Sequence, residues 1–241
     1  MNTSKNKQKT MKTIGLIGGM SWESSLEYYR IINKQVKEKL GGLHSAKSLM
    51  YSVDFDEIEK LQHQGNWSEA TKLMIDAAQR LEKGGADFVV ICTNTMHKMA
   101  GDVQKSINIP LLHIADATAE KIRAQGLKKI GLLGTKFTME EEFYKGRLIN
   151  KYGLEVVIPN EEDRKIVHDV IYKELCLGII NQPSKDQFVR IIDALVDYGA
   201  EAVILGCTEI PLLVKQADVK VLLFDTTRIH AESAVEYSLN A

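Results

Sequence analysis

The stretch IGLIGGM at residues 14–20 returns as IGLLGTK at residues 130–136. Each is an apolar run of strand length that ends in glycine and is followed by a helical pattern: SWESSLEYYRIINKQV in the first case, FTMEEEFYKGRLINKY in the second. A second pair accompanies it, GADFVVICTNT from Gly85 and GAEAVILGCTE from Gly199. The offsets are nearly equal, 130 − 14 = 116 and 199 − 85 = 114, and the order is the same. The chain therefore contains one unit twice.

Between the paired segments lie amphipathic stretches. Residues 67–83 bring Ala70, Leu73, Met74, Ala77 and Leu81 to one helical face. Residues 184–198 repeat this with Phe188, Ile191, Ile192, Leu195 and Val196, and Ser68 and Ser184 read as the N-caps. Strands such as FVVI and AVIL are apolar without alternation, which suits sheets covered on both faces. Each half thus alternates strand and helix, the pattern of a parallel sheet flanked by helices. The expected fold is α/β, two pseudo-symmetric duplicated lobes with the active site in the cleft between them. KVLLFDT from Lys220 reads as a last strand, and IHAESAVEYSL as a closing helix that crosses back to the first lobe. The expected division is 11–113 plus 225–241 for the first lobe and 114–224 for the second, with residues 1–10 a disordered N-terminal arm.

Composition narrows the function. With 44% hydrophobic and 26% charged residues and a formal net charge of −1, the 241-residue chain carries no electrostatic footprint for nucleic acid or an anionic membrane. No stretch approaches the ~20 apolar residues of a membrane span, and the basic arm lacks the apolar segment of a signal peptide. The expected location is cytoplasmic. Three cysteines, Cys92, Cys176 and Cys207, form no CxxC pair, which argues against a disulfide framework and a zinc site. The scattered His44, His113 and His230 offer no ligand spacing. Cys92 and Cys176 read as small buried core groups.

In parallel sheets of this kind, chemistry gathers at the strand C-terminal ends. There the sequence places Met20 and Ser21, Thr93-Asn94-Thr95, Thr135 with Thr138 beyond it, and Cys207-Thr208-Glu209. At an offset of 114, Thr93 and Cys207 are pseudo-symmetry partners, while Cys92 aligns with Gly206. Such a facing pair suits inversion at a carbon, where a base removes a proton from one face and an acid returns one to the other. A thiol suits the task if its surroundings lower its pKa toward neutrality. Backbone N–H groups at the neighbouring helix starts, with Asn94, Thr95 and Thr208, are candidates to hold a carboxylate.

KTIGLIGGMSWES, TNTMH and GCTEIPLLV, with HIADAT and FDTTRIHAE, resemble the aspartate/glutamate racemase family, in particular its aspartate racemase branch. The resemblance covers nearly the whole chain from Met11. It implies proton transfer at Cα between two side chains, one per lobe, without pyridoxal phosphate, another cofactor or a metal. It implies Cys207 as the second-half catalytic thiol, Glu209 as its assistant in proton exchange, and Asn94, Thr95 and Thr208 as binders of the α-amino and α-carboxylate groups. Met20, Ser21, Thr135 and Thr138 complete the pocket, and Lys165 falls near a position that binds the distal carboxylate. A homodimer is also implied. The family's usual Cys-Asn-Thr reads Thr93-Asn94-Thr95 here, a variant that relatives share. It implies a racemase of aspartate or glutamate that favours L to D, with Cys207 deprotonating the L form and Thr93 serving the other face. The segment YSVDFDEIEK at 51–60 has no arginine, where some aspartate racemases place one for the side-chain carboxylate. Competing readings are a one-thiol decarboxylase or cis–trans isomerase of a small dicarboxylate, and a non-catalytic amino-acid binding protein.

Overall fold

A computed structural model describes residues 10–240; the expected arm at residues 1–10 lies, apart from Thr10, outside the described residues. Among the described residues, eight strands form two four-stranded, wholly parallel sheets. The first has the order β2-β1-β3-β4, from Ser48–Ser52 (β2), Ile14–Gly18 (β1), Phe88–Ile91 (β3) and Leu111–Leu112 (β4). The second has the order β6-β5-β7-β8, from Glu155–Val157 (β6), Lys129–Gly134 (β5), Ala202–Gly206 (β7) and Leu222–Asp225 (β8). The duplicated segments are the two central strands of each sheet, β1 and β3 in one and β5 and β7 in the other, paired in the same way. Each sheet changes winding direction between its central strands, which opens a crevice at their C-terminal ends.

The central strands are buried throughout, as their unalternated apolar runs require. In the first sheet successive residues feed opposite faces. Ile17, Val89 and Ile91 pack under helix Trp67–Lys83, while Ile14, Leu16, Phe88, Val90 and Cys92 pack under helices Trp22–Leu40 and Thr226–Leu239. The closing helix rests on the first sheet through Ala231, Ala234 and Val235. It is fixed there by Ser238, whose hydroxyl donates to the Lys12 carbonyl at 2.7 Å. Its N-cap Asp225 is the last residue of β8 in the second sheet, so this one helix spans both halves.

The helix starts differ from expectation in detail. Asn66 caps helix Trp67–Lys83 and Asn181 caps helix Gln182–Asp197, each side chain accepting a backbone N–H three residues on. Ser68 and Ser184 already lie inside the first turn. Asparagine and serine cap comparably well, and the apolar periodicity alone leaves the start free by a residue or three. No described helix is long and apolar enough to cross a membrane.

Candidate active site

The turn after β1 is built around Gly19. Its φ is 93°, and an added Cβ would lie 2.2 Å from the Val53 carbonyl oxygen, so only glycine fits. Ser25 on the following helix accepts from Gly19 N at 2.7 Å and donates to the Ser21 carbonyl at 3.0 Å, which pins the turn. Ser21 then caps helix Trp22–Leu40, as its counterpart Thr135 caps helix Lys136–Glu140. Ser24 ties the β1 turn to the end of β3 by donating to the Cys92 carbonyl at 2.9 Å.

These turns, with those after β3 and β7, converge on one cavity lined by Met20, Thr93, Asn94, Thr95, Thr135 and Cys207 among others. Its free space is small, about 20 Å³ for the centre of a water-sized sphere, room for roughly one water. The halves are drawn together by hydrogen bonds across the cleft. Ser21 donates to Glu209 at 2.8 Å, Thr95 and Thr135 share a hydroxyl contact at 3.0 Å, and the Tyr172 hydroxyl donates to Gln62 at 2.9 Å. Asn94 donates to Thr226 at 3.0 Å, and Thr226 passes the bond to the Leu205 carbonyl at 2.8 Å. The conformation is closed, and an amino acid enters only if these contacts part.

Cys207 is buried and its Sγ donates to Glu209 Oε2 at 2.9 Å. Thr208 donates to the same oxygen at 2.8 Å, so the carboxylate of Glu209 gathers three donors with Ser21. The expected lowering of the thiol's pKa is reversed here: burial pushes the Cys207 thiol well up, and the adjacent Glu209 carboxylate adds to the rise. In the closed cleft Cys207 is a neutral thiol hydrogen-bonded to the group that can take its proton. A cation beside the sulfur, such as a substrate ammonium, opposes both effects.

Opposite, Thr93 is held through its backbone. His97 Nε2 accepts from Ile114 N at 3.2 Å, which leaves its Nδ1–H to donate to the Thr93 carbonyl at 2.8 Å. His97, His113 and His230, scattered in sequence, cluster here, the His113 ring tilted against His97 at 4.6 Å between centroids and the His230 ring edge-on to it at 5.7 Å. Burial holds all three below the usual imidazole range, His113 at about 3 and His230 at about 4, so they are neutral supports. Asn94 is 2% exposed and its Oδ1 is a buried acceptor with no partner, suited to an ammonium donor.

Met20, Thr93, Asn94, Thr95, Thr135, Cys207 and Glu209 line the cavity. Ser21, Thr138 and Thr208 stand directly behind it, hydrogen-bonded to Glu209 or Thr135. Lys165 is a correction. It lies on helix Glu161–Lys173, is exposed, and pairs with Asp169 at 2.9 Å over a separate surface hollow. Position along the helix decides this: Ile171 and Tyr172, six and seven residues and so nearly two turns later, face the cavity. Cys176 has a second role beyond the expected one. It sits half-buried on the short turn Leu175–Leu177, packing against the second-half core as expected but also lining the cavity. Phe55, Gln62 and Tyr172 were not legible as site residues, since they lie on ordinary helical stretches rather than strand ends. Cys92 points to the opposite face of the sheet from Thr93, as alternation requires. Among the described residues no cluster of three or more His, Cys, Asp or Glu is placed to hold a metal ion.

The family model described as Asp/Glu/Hydantoin racemase matches residues 17–234. A Yersinia pestis crystal structure, described as a candidate Asp/Glu racemase, is 56% identical, covers 95% of this chain and 100% of its own, and superposes with a TM-score of 0.89. The structure of an aspartate racemase homologue from Pyrococcus horikoshii is 40% identical, covers 95% and 99%, and gives 0.82. The broad specificity amino-acid racemase of Bacillus subtilis is 27% identical over 171 residues, 69% of this chain and 71% of that one. The chain belongs to the Asp/Glu/hydantoin racemase family, whose named relatives here are amino-acid racemases.

Proposed function

We propose that this protein racemises a free amino acid by proton transfer at Cα, without a cofactor, between Cys207 on one face and Thr93 on the other. The observation that carries the reading is the approach of these two pseudo-symmetric strand ends to one closed cavity, with a carboxylate hydrogen-bonded to the thiol. The α-ammonium goes to Asn94 Oδ1, and the α-carboxylate to the hydroxyls of Thr95 and Thr135 once their mutual contact opens. Glu209 accepts the Cys207 proton, and the bound ammonium offsets the cost of a buried thiolate. The thiolate removes the Cα proton of the L form. The carbanion, stabilised by the donors on its carboxylate, then takes a proton from Thr93 Oγ–H or from a water held by it.

The two faces are unequal, because a threonine hydroxyl is a far weaker base than a thiolate. Enantiomers have equal free energy, so kcat/KM must balance in the two directions. The preference for L therefore shows as solvent exchange: Cys207 removes and, after exchange through Glu209, returns a proton to the L face more often than inversion completes. Proton NMR of L and D amino acids in heavy water, with native protein and Cys207→Ser, tests this. Loss of the Cα–H signal with native protein alone, faster from L, is expected; no exchange from any amino acid refutes the reading. The relatives' names span aspartate, glutamate and broad specificity, and so leave the side chain of the substrate open. The functional unit we propose is a homodimer.

A further inference from the structure

The cavity has two kinds of wall. The strand-end turns supply the polar groups already assigned to the amino-acid head. The rest comes from helices outside the duplicated strand ends: Phe55 and Gln62 from Phe55–His63, Ile171 and Tyr172 from Glu161–Lys173, and Cys176 just after. Among the described lining residues there is no lysine or arginine, and Glu209 is the one charged side chain. The cations nearby are engaged elsewhere. Lys98 pairs with Glu141 and lies over the Trp67 ring, Arg164 pairs with Glu140 at 2.7 Å, and Lys136 and Lys165 face the outer hollow with Glu140, Glu161 and Asp169.

A distal carboxylate placed against this wall would be buried without a cation to pair with, meeting at most one neutral amide donor, and would share the cavity with Glu209. Such a charge is costly in an enclosed site. A neutral side chain meets no such penalty. The wall also offers limited polar recognition. Gln62 Oε1 accepts from Tyr172, but Gln62 Nε2 donates only to the Met96 sulfur at 3.1 Å, a weak acceptor. One amide hydrogen of Gln62 and one lone pair of the Tyr172 oxygen remain for a hydroxyl, amide or thioether.

Resting on the racemase reading, we propose that the substrate side chain is uncharged and lies against Phe55, Gln62, Ile171, Tyr172 and Cys176. The substrates are neutral amino acids, apolar or carrying one hydroxyl, amide or thioether, and the expectation of aspartate or glutamate gives way. Gln62 and Tyr172 set the preference among them.

The test is Cα–H exchange in heavy water for L-serine, L-methionine, L-leucine, L-glutamine, L-aspartate and L-glutamate. The neutral amino acids are expected to exceed the acidic pair in kcat/KM by at least about tenfold, the cost of one unpaired buried charge taken conservatively. Fastest exchange from aspartate or glutamate overturns the inference and leaves the racemase reading standing. No exchange from all six, with native protein equal to Cys207→Ser, overturns both. In Tyr172→Phe, the rates for serine and glutamine are expected to fall about fivefold relative to leucine, the scale of one neutral hydrogen bond. An equal fall for all substrates overturns the selective role of Tyr172.

Discussion

Replacing Glu209 with glutamine sets two readouts against each other. The carboxylate lies 2.9 Å from the Cys207 sulfur, both are buried, and it also accepts from Ser21 and Thr208. At an effective dielectric of about 20, a charge at that distance opposes thiolate formation by about 6 kcal/mol. Reorganisation and the polar amide recover much of this in a Glu209→Gln protein. Even a quarter of the Coulomb figure, about 1.4 kcal/mol, changes the thiolate fraction about tenfold. Loss of the carboxylate should therefore make Cys207 easier to ionise. It also removes the proton acceptor, so Cα exchange should fall by about 10²–10⁴, the usual worth of a positioned general base. Thiolate absorbance at 240 nm, titrated against Cys207→Ser as blank, reads the first effect, and NMR exchange in heavy water reads the second. A thiol that ionises more readily while exchange slows is the expected signature. If ionisation becomes harder and exchange falls with it, Glu209 only supports the fold around the thiol, and the proton-acceptor role is refuted.

Other expectations follow from the same geometry. Thr93→Ala should keep exchange at the L form with retention but lose inversion by about 10²-fold; full L-to-D turnover measured by chiral chromatography would remove Thr93 from the mechanism. Gly206→Ala places a Cβ 2.7 Å from the Leu133 carbonyl oxygen and 3.0 Å from Leu132 Cδ1, so a loss of about 1–3 kcal/mol in urea unfolding is expected. Stability should fall on acidification, because buried His230 titrates near 4 when folded and about 6.5 when unfolded. Its contribution is whole above pH 6.5 and is lost as pH drops toward 4, where the unfolded chain alone binds the proton; the gap corresponds to about 3 kcal/mol. A urea midpoint that stays flat from pH 7.5 to 5 would contradict this. Trp22, Leu26 and Tyr29 are exposed at helical spacing on helix Trp22–Leu40 and are the apolar stripe a dimer would cover. Leu26→Lys is expected to shift sedimentation toward the monomer, and an unchanged profile would place the interface elsewhere.

The paired runs at 14–20 and 130–136, and at 85 and 199, determined by themselves that the chain is two parallel α/β units. Strand periodicity and duplication are local patterns that survive without knowledge of contacts. They also located Thr93, Cys207 and Glu209, because in such sheets the ends of the central strands are where loops meet the crevice. Lys165 shows where that logic stops. Its role was implied by the family resemblance alone, yet it lies nearly two helical turns before the cavity-facing Ile171 and Tyr172 and pairs with Asp169 at the surface. Gln62, Tyr172 and Cys176 carry no local signal, since each is an ordinary helix or turn residue until the opposite half is docked. The state of the Cys207 thiol was likewise beyond the sequence. Ionisation depends on burial and on which charges face the sulfur, and both are set only when the two halves close. Sequence determined which atoms could do the chemistry; the packing of one half against the other decided which charges surround them and which side chains a substrate would touch.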